Sequence, residues 1–132
     1  MEKVLLCKKA ANFFGFEIIN SAGQLQHQPA VLRGSGELTL TEKGLYFKQW
    51  VSQKEYFIPL NSILRLEIKR SHNLKIQFPA KVLRIYFKEE NITKIFGIAL
   101  GGKLSITKGW QDDSYKWKEI IEKLIKDSRQ IS

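Results

Sequence analysis

From Gly34 to Thr107 the apolar residues recur at every second position, and beyond Asp112 they recur at every third or fourth. Period two is the mark of a strand with one face buried, and the three-and-four spacing is the mark of a helix with one apolar stripe. A chain that changes period once in this way is expected to fold as an antiparallel sheet followed by a single helix. The first strand places Gly36, Leu38 and Leu40 opposite Glu37, Thr39 and Thr41, and Glu42-Lys43-Gly44 turns it into a second strand, Leu45 to Val51. Glycine at the end of that turn can adopt the left-handed conformation a tight hairpin needs. A third strand covers Glu55 to Ile58 and stops at Pro59, which has no amide hydrogen for an interior ladder position.

The same alternation continues with Leu64, Leu66 and Ile68 opposite Arg65, Glu67 and Lys69, and Ser71-His72-Asn73 supplies a turn. Leu74, Ile76 and Phe78 then alternate with Lys75 and Gln77 until Pro79, and Leu83, Ile85 and Phe87 stand opposite Arg84, Tyr86 and Lys88. Two last strands, Lys94 to Leu100 and Lys103 to Thr107, are separated by Gly101-Gly102, a turn dipeptide. Trp117, Ile120, Ile121, Leu124 and Ile125 then share one helix face, with Asp112 or Asp113 suited to cap its start. About seven strands and one amphipathic helix imply that the helix lies over an open end or face of the sheet, because its stripe must be buried somewhere. The first thirty residues carry no clear period. Val4, Leu5, Lys8, Lys9 and Asn12 are compatible with a short amphipathic helix, Phe13 to Ile19 with a strand or buried turn, and 21–29 with a loop.

At 132 residues the chain has the size of one domain, with a core expected over about 30–127 and an N-terminal extension over 1–29. Its composition, 43% hydrophobic and 27% charged, is that of a folded chain. Cys7 is the only cysteine, so no intrachain disulfide forms and a reducing cytoplasm fits. No apolar run approaches the roughly 20 residues of a transmembrane helix, so membrane contact is expected to be peripheral, at the inner surface.

The segment Gly36-Glu37-Leu38-Thr39-Leu40-Thr41-Glu42-Lys43-Gly44-Leu45-Tyr46-Phe47 resembles the opening hairpin of pleckstrin-homology-like domains, in particular GRAM-type and bacterial members, with its pattern G-x-L-x-L-T-x-x-x-L-x-F. Phe57-Ile58-Pro59-Leu60-Asn61-Ser62-Ile63 is similar to the family's x-I-P-L-x-x-I segment, and a C-terminal helix carrying Trp117 and Ile121 follows in the right order. The resemblance implies a strongly bent, seven-stranded, partly open barrel capped by the helix. It also implies a non-catalytic role in binding lipid headgroups, peptides or other proteins. Of the basic residues with which phosphoinositide-binding relatives hold a headgroup around the first hairpin, this turn carries only Lys43, beside Glu42.

The formal net charge of +9 favours polyanions. Between Arg65 and Lys88 seven cations stand against Glu67 alone. Alternation would place Arg65, Lys69, Lys75, Arg84 and Lys88, with Tyr86 among them, on solvent faces of successive strands. Such a basic face could meet an anionic lipid surface or hold single-stranded nucleic acid with Tyr86 stacked on a base. The plainer reading of such a face is that its lysines keep the sheet soluble. Trp50 and Trp110, each beside a lysine, are candidate interface aromatics for a lipid surface or a peptide. Cys7, His27 and His72 have no paired spacing, so no catalytic residue, metal or cofactor is expected. A protein partner or an anionic membrane surface is the favoured ligand class. Nucleic acid, a small-ligand barrel and self-association remain as alternatives.

Overall fold

Val4–Ile19 forms one strand, β1, on which the rest of the sheet is organised. The computed structural model describes residues 3–27, 34–72, 75–76 and 81–131. After β1 come β2 (Leu25–His27), β3 (Gly34–Thr41), β4 (Gly44–Gln49), β5 (Glu55–Pro59) and, past a single 3-10 turn at Leu60–Ser62, β6 (Ile63–Lys69). The short strands β7 (Ser71–His72) and β8 (Lys75–Ile76) precede β9 (Val82–Glu89) and β10 (Ile92–Ala99). β11 (Gly102–Ser105), β12 (Gly109–Asp112) and the helix α1 (Asp113–Ile131) complete the order.

The main sheet is antiparallel and runs β5-β4-β3-β1-β10-β9-β6, with β2 alongside β1. The path does not close, so β5 and β6 lie at its two ends. β1 pairs with β3 from Val4 to Phe13 and with β10 from Asn12 to Ile19, so its middle serves both halves. Side chains of β3 and β4 share one core with those of β6, β9 and β10, which requires the sheet to fold back on itself across β1. Phe13 sits at that corner. Its ring centroid lies 5.3 Å from Phe47, 5.2 Å from Tyr56 and 4.8 Å from Phe96, so one side chain joins β1, β4, β5 and β10.

The expectation of a short helix over the first residues is corrected. The segment is rich in the aromatic and β-branched residues that fit a pleated surface. Its alternation is hidden by register shifts between Lys8 and Ala11 and between Phe13 and Phe16. Each bulge moves the following residues to the other face. Ala11, Phe13 and Phe14 are all fully buried, because strands and side chains cover both sides of the corner. Part of the expected loop at 21–29 is also strand, since Leu25–His27 pairs with Glu17–Ile19 around a turn held by the Asn20 side chain.

The hairpin from Gly36 to Phe47 forms in the expected register, with Leu38 opposite Phe47 and Leu40 opposite Leu45. Gly44 has φ of 155°, and a Cβ there would lie 2.2 Å from the Ile58 carbonyl oxygen, so only glycine fits. Strand β6 departs from the expected alternation through a bulge between Ile63 and Arg65. Ile63 takes the buried position, and Leu64, expected inside, is exposed. The two strands expected around Gly101-Gly102 do not pair with each other. β11 instead forms a separate hairpin with β12. Ser71 and His72, expected in a turn, are strand residues paired with β8, while Leu74 and Phe78 fall outside the described residues.

The helix begins where its capping residue predicts. Asp112 Oδ1 accepts the Ser114 amide at 2.8 Å and Oδ2 accepts the Lys81 amide at 2.6 Å, so one carboxylate caps α1 and ties it to β9. Trp117, Ile121 and Ile125 enter the sheet's core, as their spacing requires. Among the described residues no helix is long and apolar enough to cross a membrane. Phe13→Ala should lower unfolding free energy by about 3–5 kcal/mol in urea titrations, whereas Phe57→Ala, at an exposed position, should change it by less than about 1 kcal/mol. Comparable small losses at both sites would show that the corner is not the centre of the core.

Candidate binding surfaces

The outer face of β6 and β9 is where the sequence places a basic surface, and its central charge is internal. Arg84 is only 6% exposed and Tyr86 only 8%. Every residue from Val82 to Phe87 is buried, so β9 is covered on both faces. The Arg84 guanidinium pairs with Glu17 on β1 through Nη1 and with Glu67 on β6 through Nε at 2.8 Å. Tyr86 donates its hydroxyl to the same Glu67 oxygen at 2.7 Å. The Arg65 guanidinium covers the Tyr86 ring at 3.7 Å and approaches Glu67 at 3.3 Å. The expected solvent positions of Arg84 and Tyr86 are therefore corrected. Alternation marks them as polar without revealing that their partners lie on other strands.

The register explains how Arg84 reaches β1. Gly97 of β10 lies directly opposite Arg84, and Glu17 of β1 lies opposite Ile95. With no side chain at Gly97, the guanidinium can pass over β10. Phe14, Val82 and Ala99 form a small apolar cluster of their own. A charge buried this way is tolerable only with its counter-charges in place, because removing one partner leaves the other desolvated.

Burial acts to raise the Glu67 carboxyl, but the hydrogen bonds from Tyr86 and Arg84 and the charges of Arg84 and Lys69 outweigh it and lower the pKa. Burial acts to lower the Arg84 pKa, and the bonds to Tyr86, Glu67 and Glu17 raise it instead. Because the folded Glu67 pKa lies below its unfolded value, its contribution to stability is present above the ordinary carboxylate range. That contribution is lost as pH falls through the folded pKa.

Of the remaining members of the expected face, Lys69 and Lys88 are exposed, Arg65 is exposed but engaged with Glu67 and Tyr86, and Lys75 stands in β8 with its side chain outside the described residues. Trp50 follows β4 in a turn and is 49% exposed, and Trp110 lies on β12 at 36%. Cys7 is exposed on β1, and among the described residues no group of three or more metal-ligating side chains comes together.

A groove of about 360 Å³ runs between β6 and α1, with Leu64 and Arg65 on one wall and Ile125, Lys126 and Arg129 on the other. Its base is apolar through Leu66 and Ile125, and its rim holds three cations against Glu122, which is itself bonded to Lys118 at 3.0 Å. Arg129 donates to the Ile63 carbonyl at 3.2 Å and fastens the helix to the start of β6. Sequence reasoning missed this groove because the β6 bulge that turns Leu64 outward has no local signature. It also missed Glu17, whose one signal is a lone carboxylate in the apolar run Phe13 to Ile19.

Compared with known proteins, the chain matches no family model and no curated protein. Arg84→Met should destabilise by about 3–5 kcal/mol in urea denaturation, since it takes from Glu17 the guanidinium it is paired with. A loss below about 1 kcal/mol would mean that Arg84 behaves as an ordinary surface cation. Stability should also decline as pH falls below the ordinary carboxylate range, and Glu67→Gln should flatten that acid limb in a pH series of thermal melts.

Proposed function

We propose that the chain is a non-catalytic binding module of pleckstrin-homology-like, GRAM-type character whose β6–α1 groove takes an extended, acidic segment of a protein partner. The observation that carries this is the position of β6. It ends the sheet path, so among the described residues one side of its backbone is not occupied by another strand of the main sheet. An extended peptide can add to such an edge through main-chain hydrogen bonds, with alternate side chains entering pockets beside it. The groove offers Leu64 and Ile125 for an apolar side chain and Lys126 for a carboxylate, with the charges of Arg65, held at Glu67 and Tyr86, and Arg129, held at the Ile63 carbonyl, beside it. The bent seven-strand path and the C-terminal helix support the family resemblance that suggests a binding role.

The alternative of single-stranded nucleic acid on the β6–β9 face draws little support from the geometry. Tyr86, the aromatic it needs for base stacking, is buried with one side covered by Arg65, and Arg84 is held by two carboxylates.

Selection of peptides from a random phage-displayed library against the pure protein, followed by amide chemical-shift mapping, tests the proposal. The expected result is an acidic extended consensus that shifts the amides of Leu64 to Lys69 and residues along Ile125 to Arg129, and whose affinity falls about tenfold or more in Leu64→Asp and in Lys126→Glu. Shifts confined to another surface, or affinity unchanged in both variants, would refute it.

A further inference from the structure

We propose that the β11–β12 hairpin is an arm that seats on an anionic bilayer surface. Among the described residues the two strands pair only with each other, through Gly102 with Asp112 to Ser105 with Gly109, and form a sheet separate from the main one. The turn at the far end presents Ile106 at full exposure, 104% of its reference value, and β12 presents Trp110 beside it in sequence space on the same hairpin. Among the described residues Ile106 therefore has no packing role. Tyr115, in the first turn of α1 at the root of the arm, is half exposed, and its hydroxyl accepts a hydrogen bond from Lys81 Nζ at 2.6 Å.

Charge decides between occupants. The stretch Gly101 to Gln111 holds Lys103 and Lys108 and no carboxylate. The acids that follow it in sequence are engaged elsewhere: Asp112 accepts the Lys81 and Ser114 amides, and Asp113 pairs with Lys8 at 2.8 Å. An apolar tip, an amphipathic tryptophan and tyrosine, and the exposed Lys108 in a stretch whose sequence carries no carboxylate match the layers of an anionic lipid interface, where aromatic rings sit at headgroup depth and lysines meet the surface charge. So small an arm gives reversible, salt-sensitive adsorption that follows surface charge and is indifferent to headgroup stereochemistry. The site is distinct from the β6–α1 groove. The arm joins the helix at Asp113, and Ile125 lies twelve residues further along, about 18 Å at the helical rise. Either can fail without the other.

Sedimentation with vesicles of phosphatidylcholine alone, and of phosphatidylcholine with about one third phosphatidylserine, tests the arm at low and high salt. The full chain should sediment with the anionic vesicles at low salt and not with the neutral ones. Ile106→Asp and Lys108→Glu, both at exposed turn positions, should each lower binding about tenfold. Val51→Asp should leave it unchanged, since that residue is as exposed as Ile106 but lies in the β4–β5 turn. In a Trp50→Phe background, where Trp117 is buried in the core, anionic vesicles should shift tryptophan emission to the blue by moving Trp110 out of water. Failure to sediment at low salt, equal loss in Val51→Asp, full binding by Ile106→Asp, or selection of a phosphoinositide over phosphatidylserine at matched charge would each overturn the proposal.

Discussion

Arg84 is a cation placed inside a sheet, and its desolvation is tolerable only because Glu17 and Glu67 arrive from two other strands. That requirement couples three elements that are far apart in sequence. β1 must run in the register that sets Glu17 across from Ile95, β10 must present Gly97 opposite Arg84, and β6 must set Glu67 directly beside it. A shift of one residue in any of the three would turn the partner to the opposite face.

The opposite face of these strands solves a different problem. Phe13, Phe47, Tyr56 and Phe96 meet where β1 passes from one half of the sheet to the other, and the bulges in β1 let it bend there while keeping Phe13 inward. The helix then supplies the cover that an unclosed sheet lacks, with Trp117, Ile121 and Ile125 against the core and Asp112 bonded to the start of β9. One consequence concerns the surface. With Arg84 internal and Arg65 drawn over Tyr86, the strand face presents less positive charge to solvent than its sequence suggests, and Lys69 and Lys88 are its exposed cations.

Elements with unbroken alternation were legible in the sequence. The β3–β4 hairpin, β5 ending at Pro59, β9 and the stripe of α1 appear where period and turn chemistry place them. The departures have local physical causes. β1 hides its period behind bulges, Leu64 is turned out by another bulge, and β11 pairs forward with β12 because Gly101-Gly102 leads into a second hairpin instead of closing one. The expected basic face failed for a different reason. Alternation identifies residues that point away from the apolar core, and it cannot distinguish water from a carboxylate 67 residues earlier in the chain. Lys69 and Lys88 are exposed as expected, whereas Arg84 and Tyr86 have partners only the fold brings near.

The register of the sheet comes together at one buried contact, Arg84 with Glu17 and Glu67. The most direct test is the exchange behaviour of the Arg84 side chain, followed by nitrogen-15 NMR of its guanidinium protons near neutral pH. An arginine clamped between the buried Glu17 carboxylate and the partly buried Glu67 carboxylate should give resolved Nε and Nη signals that exchange slowly with water and respond to Glu17→Gln and to Glu67→Gln. A single averaged signal exchanging as fast as that of a surface arginine would contradict the structure at its central contact and return Arg84 to the solvent face.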